Sequence, residues 1–94
     1  MENLIVTIKG DKTGPHKVTR FFYEQENYDI LVFEGDDVAN KVFCNLGGAT
    51  SVEVSAQNQP LGLYTLLTAS ANEMVLVKGD AETAQRLMKS PPPV

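Results

Sequence analysis

Apolar and polar residues alternate from the start of the chain: Leu4, Val6 and Ile8 stand on one side of Ile5, Thr7 and Lys9, which predicts a strand with one strongly apolar face. Gly10 to Pro15 holds two glycines, an aspartate and a proline, the composition of a long hairpin loop. Val18 to Tyr23 is aromatic and β-branched, Gln25-Glu26-Asn27 turns the chain, and Tyr28 to Phe33 makes a third strand. Short connections of this kind predict an antiparallel meander. Ile30-Leu31-Val32-Phe33 is apolar on both faces, which predicts a central strand covered on both sides.

A helix follows. Asp36 is placed to cap it, Asp37 favours the positive helix end, and Val38, Ala39, Val42, Phe43 and Leu46 fall on one arc before Gly47-Gly48 stops it. The second half repeats the order, with strands over Thr50–Ser55, Leu61–Thr68 and Glu73–Lys78 and turns at Gln57–Pro60 and Ala69–Asn72. Asp80 then caps a last helix whose arc is Ala81, Ala84, Leu87 and Met88. Ser90-Pro91-Pro92-Pro93-Val94 cannot extend that helix and reads as a polyproline-like tail.

The two halves also echo in sequence. Laid over each other without a gap, Pro15 falls on Pro60, Asn27 on Asn72, Leu31 on Leu76, Val32 on Val77 and Ala39 on Ala84. Phe21 and Phe22 fall on Leu66 and Leu67 in the same alignment. The expectation is an α+β fold of a single domain over residues 1–90, built from two β-β-β-α pseudo-repeats at about 1–47 and 48–90, with a proline tail at 91–94. The simplest arrangement is a six-stranded antiparallel sheet with both helices packed on one face.

That arrangement leaves a second face to cover. Phe21, Tyr23, Leu31, Phe33, Tyr64 and Leu66 cannot all lie under two helices, because adjacent strand residues point to opposite sides. A second copy of the chain is the expected cover, since closed two-fold dimers are the commonest oligomers. A protein that stays monomeric would point instead to a ligand groove or to a sheet curled over its own core.

Composition narrows the picture. The chain has 94 residues, 43% apolar and 21% charged, which suits one folded domain with a working core. One cysteine allows no internal disulfide and fits a reducing compartment. The start Met1-Glu2-Asn3 lacks the basic stretch and apolar run of a signal peptide, and no segment reaches the length of a membrane span, so a cytoplasmic, non-membrane protein is expected. A net charge of -4 argues against a broad nucleic-acid surface, although Lys9, Lys12, His16, Lys17 and Arg20 gather in the first hairpin.

Candidate chemistry is sparse. Asp11-Lys12-Thr13-Gly14 is similar to the first four residues of the phosphorylation motif of P-type ATPases, but Pro15 stands in the fifth place and no nucleotide-binding or membrane part accompanies it. Turn chemistry accounts for the same residues. His16, the one histidine, has no neighbouring ligand at metal-binding spacing and reads as an exposed loop residue; no metal and no cofactor are expected. Glu24, Glu26, Asp29, Glu34, Asp36 and Asp37 read as a solvated surface with a helix cap. Cys44 lies on the polar side of its helix, which makes it a candidate reactive thiol or contact residue.

The leading expectation is a dimeric binding module for a protein or small ligand, with no catalytic residues. An acidic accessory or inhibitor protein on a basic surface of a nucleic-acid enzyme is a second reading. A small enzyme whose site forms between subunits from residues such as His16 and Cys44 is a third.

Overall fold

In the computed structural model the described residues are 2–23, 28–44, 46–47, 49–57 and 59–89. The element order is β1 (Glu2–Ile8), β2 (His16–Tyr23), β3 (Tyr28–Glu34), α1 (Val38–Phe43), β4 (Ser51–Ala56), β5 (Gln59–Ala69), β6 (Glu73–Lys78) and α2 (Ala81–Lys89). The strands form a closed antiparallel barrel in the order β1-β2-β3-β6-β5-β4, with β1 and β4 meeting at the closing seam. This corrects the expected open sheet with both helices on one face.

The physical reason lies in the surplus apolar face and in β5. An open sheet would have left that face wet, whereas curling turns one side of every strand inward at a gain of about 1.5–3 kcal/mol for each large side chain buried. β5 supplies the bend. Its register shifts between Val54↔Gly62 and Ser55↔Pro60, and again between Leu66↔Leu76 and Thr68↔Val75, leaving Leu61 and Leu67 as extra residues. Such bulges bend a strand and sharpen its twist.

Inside the barrel, Val6, Ile8, Val18, Leu31, Phe33, Val52, Val54, Tyr64, Met74 and Leu76 form one buried cluster. Val38 and Val42 of α1 enter the same cluster, so α1 closes an end of the barrel. Its start is tied to the β5–β6 turn, where Gly35 and Asp37 donate backbone N–H groups to Asn72 and Ala71 at 3.0 and 2.6 Å. The helix opens at Asp37, which takes a left-handed conformation (φ 56°), one residue later than the sequence suggests.

The second helix sits elsewhere. α2 packs on the outer side of β5 and β6, near Thr65 and Val77, which are buried although they point away from the barrel interior. The helices thus occupy different kinds of place, one an end and one a flank. Asp80 caps α2 as expected, its Oδ1 accepting the Thr83 N–H at 3.0 Å and the Thr83 hydroxyl at 3.1 Å. Ala84 of the expected arc is buried and Ala81 is exposed. The side chains of Leu87 and Met88, the turn at 25–27 and the tail at 91–94 lie outside what is described.

The sequence echo meets the structure at β3 and β6, where Leu31 pairs directly with its counterpart Leu76. In β5 the gapless alignment slips. Arg20 pairs with Leu31 and Leu66 with Leu76, so Leu66 stands where Arg20 does and not where Phe21 does.

Candidate functional site

Barrel closure divides the six residues expected on one contact face. Leu31, Phe33 and Tyr64 are wholly buried in the interior, and Leu66 packs against that core. Phe21 points outward opposite Ile30 and is half-buried; the Tyr23 side chain is outside the description. A partly uncovered apolar surface does exist, on the outer side of the first meander. Ile5 is 53% exposed there, and Phe21, Ile30 and Val32 are half-buried, while the extensive helix packing among the described residues falls on β5 and β6.

Two cavities adjoin on this side. One of about 400 Å³ lies between Ile5, Lys17, Gln57 and Gln59, and another of about 360 Å³ runs from Lys17 and Thr19 to Val32 and Glu34. Asn3 and Lys17 line both.

Among the described residues one carboxylate, Asp29, is buried in the barrel interior, with Arg20 reaching in to meet it. Asp29, 2% exposed, accepts Arg20 Nε on Oδ1 at 3.0 Å, and Arg20 Nη2 and the Tyr64 hydroxyl on Oδ2 at 2.7 and 2.8 Å. Arg20 also reaches Glu2 at 3.7 Å and lies over the Phe22 ring at 5.4 Å. Its hydrogen bonds to Asp29 hold the guanidinium above its ordinary pKa. Burial, reinforced by the hydrogen bond to Asp29, pushes the Tyr64 phenol well up. Sequence reasoning placed Asp29 in a solvated acidic set; the missed signal was its position two residues before Leu31 and four before Phe33, on the inward side of β3. Three donors occupy both carboxylate oxygens, so Asp29 fixes the core and is not poised as a base or a ligand.

A second polar cluster locks the first hairpin. Asp11 Oδ1 accepts the Thr13 N–H at 2.9 Å and the Thr13 hydroxyl at 2.6 Å, while Oδ2 meets His16 Nε2 at 2.6 Å. Burial raises the Asp11 carboxyl, but the Thr13 hydrogen bonds and His16 more than offset it and bring the net value below the usual one. His16 is not an exposed loop residue. Its side chain is 14% exposed and its ring meets Phe33 edge-on at 5.6 Å. Thr13 Oγ1 lies 3.5 Å from the same Nε2 that Asp11 contacts, whereas a relay needs nucleophile and carboxylate on opposite ring nitrogens. The cluster is therefore a turn lock, and the Asp11 carboxylate of the ATPase-like tetrapeptide is spent within it.

Cys44 is exposed at the end of α1, with its N–H on Asn40 C=O at 2.9 Å. No group of three metal-ligating side chains converges among the described residues. None of the helices described is long and apolar enough to cross a membrane. Compared with known protein families, curated proteins and solved structures, the chain matches nothing.

Proposed function

We propose that the chain is a small binding module without catalytic machinery of its own, dimeric through the outer face of β1, β2 and β3. Uneven cover of the barrel carries this reading. On the outer side of the second meander Thr65 and Val77 lie buried beside α2 and Leu63 is left 43% exposed, while among the described residues no helix packing of that extent covers Ile5, Phe21, Ile30 and Val32 on the first meander. An apolar stripe rimmed by polar side chains is a usual mark of a contact surface. Lys17 and Glu34 flank it, and a two-fold axis can set the lysine of one copy against the glutamate of the other.

Light scattering over a range of concentrations tests the proposal. The wild type should reach dimer mass at micromolar concentration. Val32→Glu should weaken association by about 2 kcal/mol, roughly thirtyfold, with an unchanged far-ultraviolet spectrum. A chain that stays monomeric into the millimolar range would overturn it.

A further inference from the structure

The closing seam of the barrel is only partly zipped. β1 pairs with β2 from Glu2 to Val6, but its pairing with β4 runs only from Val6 to Ile8. Gln59 already pairs back onto Ala56, so the β4–β5 hairpin has turned away where β1 continues toward Glu2. Lys9 donates its N–H to Glu53 C=O at 2.9 Å across this seam. Every second residue of a strand shares an edge, so the backbone N–H and C=O groups of Thr7, Ile5 and Asn3 face the same way. Thr7 finds Ser55 there, while Asn3 and Ile5 face no strand among the described residues.

The cavity of about 400 Å³ lies in this opening. Leu4 and Ala56, which pack against the core, form its apolar side, and Asn3, Ile5 and Lys17 form its outer side. Sheets commonly protect a free edge with proline, lysine or a bulge. Glu2-Asn3-Leu4-Ile5 has neither residue, and its register with β2 is unbroken.

We propose that this opening takes an extended peptide segment of a partner protein, which joins the barrel as an added strand along Asn3–Ile5. Such recognition draws affinity from main-chain hydrogen bonds and specificity from alternate side chains. The segment that fits has apolar residues at alternate positions toward Leu4 and Ala56, and acidic residues between them toward Lys17. Lys17 is the one charged residue lining the cavity, and it is in no ion pair among the described residues. The chain's own tail does not fit, because Pro91, Pro92 and Pro93 have no N–H to donate. A second copy's β1 fits poorly as well, since Glu2 lies on the same strand face as Leu4 and would put its carboxylate on the apolar side.

The proposal deepens the binding-module reading; because Ile5 and Lys17 also border the proposed dimer face, the peptide is added to protein dilute enough to be monomeric, its mass measured on the same sample. The probe is an acetylated, amidated heptapeptide alternating valine and glutamate, added to isotope-labelled protein. Amide signals of Asn3, Ile5, Lys17 and Gln57 should shift, and exchange of the Asn3 and Ile5 amides with solvent should slow. Lys17→Glu should weaken binding about tenfold, and a peptide alternating valine and lysine should bind correspondingly worse to the wild type. N-methylation of the peptide's bonding amides should abolish the effect. Equal binding of the N-methylated peptide, shifts confined to other strands, or no response with the folded protein would overturn the proposal. Slow exchange of Asn3 and Ile5 in peptide-free dimer would also overturn it, by assigning the edge to a second copy.

Discussion

A carboxylate inside an apolar barrel is tolerable only if its oxygens are fully engaged, and Asp29 meets that condition through Arg20 and Tyr64. The partners differ in what their loss leaves behind. Tyr64→Phe removes one donor and should cost about 1–2 kcal/mol in a denaturant titration. Asp29→Ala leaves the Arg20 guanidinium in the core, though its side chain is 23% exposed and can turn toward Glu2 and water, so a loss of about 3 kcal/mol is expected. Asp11 predicts a pH effect of definite sign. Its folded pKa lies below the ordinary 3.8, so its contribution is present above that value and is lost as pH falls through the lower, folded one. Asp80 titrates in the same direction through its Thr83 bonds. Stability measured from pH 5 down to pH 2 should fall for the wild type, and less steeply in Asp11→Ala. At this scale alternation along the strands was legible for apolar residues. It is masked for Asp29 and Arg20, whose charge argues for solvent while their strand positions face inward, where each satisfies the other.

Strands were the most legible elements, since β1 alternates at period two and β3 and β6 are short apolar runs bounded by polar and turn residues. Helices were legible as to existence but not placement. The arc Val38, Ala39, Val42, Phe43 describes what α1 buries, yet whether a helix caps an end or lies on a flank depends on connections that periodicity does not encode. Gly79 shows how one connection is fixed. It joins β6 to α2 with φ 124°, and a Cβ there would lie 2.9 Å from Thr83 Cβ. Gly79→Ala should therefore destabilise by about 1–3 kcal/mol in thermal or chemical unfolding. Gly47→Ala, with φ 63° but nothing within 4 Å of the new Cβ, should cost less, about 1 kcal/mol.

At the scale of the whole molecule the question is what becomes of the second face of the strands. The sequence exposed that question correctly, because Leu31 and Val32, or Phe21 and Phe22, cannot share one side. The answer turned on two extra residues in β5, Leu61 and Leu67, which look like ordinary strand residues until their partners are known. Closure took one face for the core, and α2 covered part of the other. Leu63 of β5 and the flank of the first meander stay open, and the proposed dimer requires that flank to be a contact surface. The direct measurement is residue-resolved relaxation by an inert, soluble paramagnetic agent, recorded on the protein at low and high concentration. Leu31, Phe33, Tyr64 and Val77 should be silent throughout, while Ile5, Phe21, Ile30 and Val32 should respond in dilute protein and become shielded together as the mass doubles. Strong relaxation of Leu31 and Phe33 in dilute, folded protein, or a doubling of mass that leaves the first meander fully accessible, would contradict that pattern.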